Sequence, residues 1–247
     1  MANKSILISI GAVLLSFIGG FLLANMLNRS ELDTIRSENE RLKRSVEQDL
    51  SGDNALTLKP SEIENALNEA SKRLDDPAAQ KRIGLSLYLY SSMKQDQELL
   101  QRAISILERA FALAPEDPDV MSGLANAYFD DAFFKKDNTK LVRSRELYEK
   151  VLAKNPKDAV TITNLGLTYS LQQPPAYAKA EAEYMRALAV DPKQEKALQF
   201  LVQALIKQNK DPEAAKYLGE LKTLNPGNTA IPEFTSELAG VPTQSAK

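Results

Sequence analysis

Between residues 195 and 228 the apolar positions recur at helical spacing in two short stripes. Leu198, Leu201, Val202 and Leu205 form the first, one face of an amphipathic helix. Asn209, Lys210, Asp211 and Pro212 break it, and Ala214, Leu218 and Leu221 form a second stripe that Asn225 and Pro226 stop. The pair occupies 34 residues. Each helix has a face to bury and too little chain to bury it alone, so the unit requires stacked copies of itself.

Three copies precede it. The same slots hold Ile162, Leu165, Gly166, Tyr169, Ala180, Tyr184, Ala187 and Pro192; then Met121, Leu124, Ala125, Tyr128, Ser144, Tyr148, Val151 and Pro156; then Ile83, Ser86, Leu87, Tyr90, Ala103, Leu107, Ala110 and Pro115. Relative to the last copy these carry two, seven and four extra residues, always between the two helices. The pattern resembles the tetratricopeptide repeat (TPR), a helix-turn-helix unit with small residues at helix crossings and a terminal proline. The resemblance covers about 150 of the 247 residues, and tryptophan, common in the family's first slot, is absent. It implies an all-α solenoid of about four repeats, over residues 80–117, 118–158, 159–194 and 195–228. The second repeat is extended. Phe129, Phe133 and Phe134 in its insertion are expected to be additional core, on helices lengthened by a turn or two.

The flanks are patterned differently. Residues 1–4 are a short tail, and residues 5–28 carry no charge. Residues 5–27, largely apolar, would span a hydrocarbon core of ~30 Å at ~1.5 Å per residue. A cleaved signal peptide is the competing reading, but the run exceeds the roughly 7–15 apolar residues such a segment needs and lacks a good small-x-small site. An uncleaved transmembrane signal anchor is predicted. Within it Ala12, Ser16, Gly20 and Ala24 recur every four residues, a face on which two helices approach closely. Residues 29–50 continue as a juxtamembrane helix. There Leu32, Ile35, Asn39, Leu42 and Val46 take a/d positions of a short coiled coil, with Glu31 and Glu38 facing Arg36 and Lys43. One Asn at an a position fixes a two-stranded parallel register. A parallel homodimer is expected; a lone solvated helix is the alternative. Ser51, Gly52, Asp53 and Asn54 open a hinge over 51–60. Residues 61–76 form a capping helix, entered by a capping box of Ser61 and Glu64. Residues 229–247 are a C-terminal cap followed by a disordered tail.

Composition narrows function. The chain is 43% apolar and 26% charged with a net charge of −2, so no basic field marks it for nucleic acid. It has neither Cys nor His, which removes thiolate chemistry, the commonest general base and the commonest metal ligand. The adjacent Asp130 and Asp131 form no motif with a nucleophile and are expected at a solvated helix end. The reading is of a non-enzyme, with no cofactor, no metal and no small-molecule substrate.

In TPR proteins the first helices of the repeats line a concave groove that binds peptides or partner segments. That resemblance implies a partner-binding face made of Lys81, Tyr88, Ser122, Asn126, Asp130, Thr163, Asn164, Lys196, Gln199, Gln203 and Lys207. The set is polar and amide-rich, suited to an extended backbone. Asn126, Asn164 and Lys196 match slots of the family's carboxylate clamp, but Ser122 and Phe200 replace two of its cations, so a clamp is not expected. The implied function is a membrane-tethered scaffold or adaptor binding a protein or peptide in that groove, in support of a membrane-associated complex. The alternative is a structural subunit using anchor, stalk and convex face. Single-pass membrane localisation, in a bacterial inner membrane by resemblance, is expected. One Lys before the anchor against five basic residues just after it (Arg29, Arg36, Arg41, Lys43, Arg44) favours a cytoplasmic domain, whereas resemblance favours a periplasmic one.

Overall fold

The computed structural model describes residues 58–240, and these divide into two units after Arg73. The expected anchor, the stalk with its dimer positions, most of the hinge and the tail beyond Gly240 lie outside the described residues. Among the described residues no helix is long and apolar enough to cross a membrane, and no strand occurs.

The first unit contributes α1 (Pro60–Lys72). Its entry is not the expected Ser61 and Glu64 box. Pro60, pre-set for helical φ, takes the first turn, and Glu62 reaches back to accept from the Lys59 N–H at 2.8 Å. The helix ends at Lys72, four residues before the expected 76, and Asp76 and Pro77 open the next, the Asp76 carboxylate accepting from Ala79 N–H at 3.0 Å.

The second unit contains α2 (Pro77–Lys94), α3 (Gln97–Leu113), α4 (Pro118–Lys135), α5 (Asn138–Lys154), α6 (Ala159–Leu171), α7 (Tyr177–Val190), α8 (Glu195–Ile206), α9 (Asp211–Leu224) and α10 (Ile231–Leu238). Helices pair as antiparallel hairpins, α2 with α3, α4 with α5, α6 with α7 and α8 with α9, and the second helix of each packs on the first helix of the next. The first helices also touch one another, α2 with α4, α4 with α6 and α6 with α8, so they lie in one layer. Aspartates set the register of entry: Asp96, Asp117, Asp137 and Asp158 each accept from backbone N–H groups of the first turn, Asp137 from Thr139 at 2.8 Å.

The core follows the stripes read from sequence. Leu107, Met121, Leu124, Tyr148, Ile162, Tyr184, Leu198, Leu201, Leu205 and Leu221 are fully buried. At the C-terminal end Phe234 of α10 packs on Leu198, Val202, Leu218 and Leu221, covering an apolar face that would otherwise meet water.

The register of the first hairpin differs from the sequence reading by one turn. A Cβ on Gly166 would lie 2.5 Å from the Tyr184 ring, and one on Gly84 would lie 2.9 Å from Leu107. Gly84 is therefore the small residue at the helix crossing, and its slots are Gln80, Ile83, Gly84 and Leu87, all buried. Ser86 and Tyr90, expected in slots, are only half-buried. The spacing from Gly84 to Ala103 is then 19 residues, as from Ala125 to Ser144, against 12 from Val202 to Ala214. The first two hairpins share one build, with helices of 18 and 17 residues and left-handed turns at Gln95 and Lys136, both at φ 54°. The third and fourth have helices of 12 to 14 residues.

Candidate functional site

The layer of first helices is where a partner was expected, and the structure uses many of those side chains to join neighbouring helices. From α2, the Lys81 ammonium bonds Asp117 at 2.8 Å and Asp119 at 2.6 Å on the entry to α4. Burial works to lower its pKa, but the two carboxylates outweigh that and hold it above the ordinary value. Tyr88 and Ser92 each donate a hydroxyl to Asp130 Oδ2 at 3.0 Å. Partial burial pushes the Asp130 carboxyl above its usual range despite those two donors, and burial beside that carboxylate raises the Tyr88 phenol.

Between α4 and α6 the Asn126 carbonyl oxygen accepts from Tyr148 Oη at 2.6 Å and from Asn164 Nδ2 at 3.4 Å. Further along, Asn228 Nδ2 donates to Gln199 Oε1 at 3.0 Å and Glu195 Oε1 at 2.6 Å. The Lys207 ammonium lies 3.4 Å from both Glu237 oxygens of α10. Ser122 is half-buried, while Lys196 and Gln203 are exposed on α8.

Two expectations are corrected here. Thr163 does not line a surface: it is 1% exposed and donates to the Ala159 carbonyl at 2.7 Å, because it falls on the buried stripe of α6 with Ala159 and Gly166. Its counterpart in being hidden on α2 is Ser91, whose hydroxyl donates to the Tyr88 carbonyl at 2.8 Å. The Asp130 and Asp131 pair is not a solvated helix end. Asp131 is fully buried, accepting from Gln101 Nε2 at 2.6 Å and pairing with Lys135 at 2.8 Å and with Lys140. Burial alone would raise its carboxyl, yet the two lysines hold it below the ordinary value. It ties α3, α4 and α5 together.

The sequence reading missed apolar members of the same layer. Leu89 is 42% exposed, Met93 48% and Val160 57%; Phe200, already read at a clamp slot, sits half-buried 6.0 Å from the Tyr184 ring. Leu89 stands 41 residues before Asp130, the spacing that also relates Pro77 to Pro118 and Asp96 to Asp137. That repeated Asp and Pro spacing was the available signal for the correct register. The face is thus polar at its seams and partly apolar where it is open. Among the described residues no three His, Cys, Asp or Glu side chains cluster as metal ligands.

No protein-family model matches the chain, and no curated protein matches it. Solved structures do. MamA from Desulfovibrio magneticus RS-1, residues 41 to the end, aligns with a TM-score of 0.54 at 18% identity, covering 76% of this chain and 96% of that one. TTC0263, a thermophilic TPR protein of Thermus thermophilus, aligns at 0.54 and 19%, covering 72% and 87%. PilF of Pseudomonas aeruginosa aligns at 0.53 and 18%, covering 66% and 69%. Together with the stacked hairpins, these likenesses establish that the chain has the fold of the tetratricopeptide-repeat proteins.

Proposed function

We propose that this protein is a membrane-tethered scaffold whose layer of first helices binds a segment of a partner protein. The observation that carries the reading is the exposed part of that layer on α6 and α8. There Lys196 and Gln203 are exposed on α8, Val160 is exposed on α6 and Phe200 is half-buried on α8, so the layer offers both polar groups that can pair with a peptide backbone and apolar contacts for its side chains. Asn126 and Asn164 contribute indirectly, since their mutual bond holds α4 against α6. The apolar run of residues 5–28 supplies the tether in this proposal, and residues 12–46 a parallel homodimer.

The test is recovery of partners by the full-length chain from its native membrane, quantified for wild type, for Lys196→Glu with Gln203→Ala, and for Lys222→Glu on the second-helix side. Loss confined to the first pair is expected. Loss confined to Lys222→Glu would instead favour a structural subunit that works through its other face. Unchanged recovery in both would remove α8 as the binding surface.

A further inference from the structure

The two tall hairpins end in a feature that the scaffold role does not use. With Ala125 and Gly166 in equivalent positions, Phe133 and Phe134 correspond to Pro174 and Pro175, beyond the end of α6 at Leu171. The α4–α5 hairpin therefore stands about one helical turn, ~5.4 Å, above α6–α7. At this tip Phe133 is 57% exposed and Phe134 40% exposed, where additional core was expected. Their rings meet edge to face at 5.8 Å, and Met93, 48% exposed, takes on α2 the position that Phe134 takes on α4. Single exposed apolar residues are ordinary, but neighbouring ones at one tip make a patch of the kind that is often functional.

Three lysines flank the patch. Lys94, Lys135 and Lys136 are exposed beside it. The nearby carboxylates are engaged: Asp96, exposed, and Asp137, half-buried, accept from helix N-termini, exposed Glu98 pairs with Arg102 at 2.7 Å, Asp131 is buried under Lys135 and Lys140, and Asp130 is held by Tyr88 and Ser92. The tip is also braced, since Asn138 donates to the Gln173 carbonyl at 2.6 Å and accepts from Gln173 N–H at 2.9 Å.

We infer that the tips of the first two hairpins, through Phe133, Phe134 and Met93 with Lys94 and Lys136, rest on the surface of an anionic lipid bilayer. A bilayer fits better than a peptide because the neighbouring hairpin stops a turn short, leaving a knob and not a cleft. Aromatic and long apolar side chains enter the headgroup boundary while the lysines stay with the lipid charges. The inference rests on the membrane tether proposed above, which brings the domain to a bilayer.

The test uses the full chain, which has no native Cys, in phosphatidylcholine–phosphatidylglycerol vesicles carrying doxyl lipids as quenchers. An environment-sensitive fluorophore is placed at Phe133→Cys or, as control, at Ala215→Cys, exposed on α9. Several-fold stronger quenching at 133 than at 215 is expected, falling to the control level with Lys94→Glu and Lys136→Glu while helical circular dichroism is unchanged. Equal quenching at both positions, or a preference for 133 that survives charge reversal, overturns the inference. A peptide-binding tip would give an unquenched fluorophore at 133 on a chain that still floats with the vesicles, failing the tip alone. A chain that does not float fails both the tether and the tip.

Discussion

Gly166 shows what a single missing methyl contributes. It lies where α6 crosses α7, and a Cβ there would come 2.5 Å from Tyr184 Cε1, against a ring that is fully buried and bonded through its hydroxyl to Ser170 at 2.9 Å. The ring cannot swing aside without losing that bond. Gly166→Ala is therefore expected to cost ~1–3 kcal/mol by overpacking, despite the better helix propensity of Ala. The check is a urea melt of Gly166→Ala beside Gly219→Ala, where a Cβ meets nothing within 4 Å. Gly219→Ala should be neutral or slightly stabilising, and equal effects at the two glycines would contradict the packing. At Gly84 the neighbour is the flexible end of Leu107, so the same substitution should cost less.

At the scale of elements, the long α4–α5 hairpin is held by charge as well as by packing. Asp131 gathers Gln101 from α3, Lys135 from its own helix and Lys140 from α5, so three helices share one buried carboxylate. Replacing it with Asn removes the charge that both lysines answer. The lysines are partly solvated, at 44% and 21% exposed, which discounts the loss to about 2–4 kcal/mol at neutral pH. The sign with pH follows from the lowered carboxyl of the folded state. Its stabilisation is complete above the ordinary carboxylate pKa of 3.8 and is lost as pH falls through the depressed folded value. Wild type and Asp131→Asn should thus differ at neutral pH and converge in strong acid, read by chemical denaturation across pH. Asp130 acts in the opposite sense, since its raised carboxyl weakens the fold as pH rises past its own range.

For the whole molecule the open question is assembly. Small residues at Ala12, Ser16, Gly20 and Ala24 and the a/d positions Leu32, Ile35, Asn39, Leu42 and Val46 propose one parallel pair along residues 12–46. Each g–e′ charge pair is solvent-exposed in such a stalk and contributes under ~1 kcal/mol, so the charges select orientation while the apolar seam supplies affinity. In membranes, Leu32→Cys and Leu42→Cys are expected to cross-link efficiently and Thr34→Cys and Arg41→Cys poorly. Equal yields at all four positions would leave the stalk a single helix. If the proposed tether spans a membrane, a topology reporter at Lys247 is expected to report from one side only.

The stripes of Leu198, Ile162 and Met121 with their trailing prolines were enough to establish an all-α stack of hairpins, because a repeated amphipathic helix pair can bury its faces only against copies of itself. The slot set of the first hairpin was legible but shifted, since buried Gln80 hides the first position and Tyr90 imitates the last. The close approach of Gly84 to Leu107 restored it, in agreement with the 41-residue spacing of Pro77 to Pro118 and Asp96 to Asp137. The binding face was the least legible part. A polar side chain on a first helix reads the same in sequence whether it waits for a partner or bonds its neighbour. The distances from Lys81 to Asp117, Tyr88 to Asp130 and Asn126 to Asn164 arise between helices 36 to 42 residues apart. The exposure of Phe133 and Phe134 was equally beyond local reading. Whether an apolar residue at a helix end becomes core depends on which neighbouring elements reach it, and at the end of α4 both phenylalanines stay largely in water.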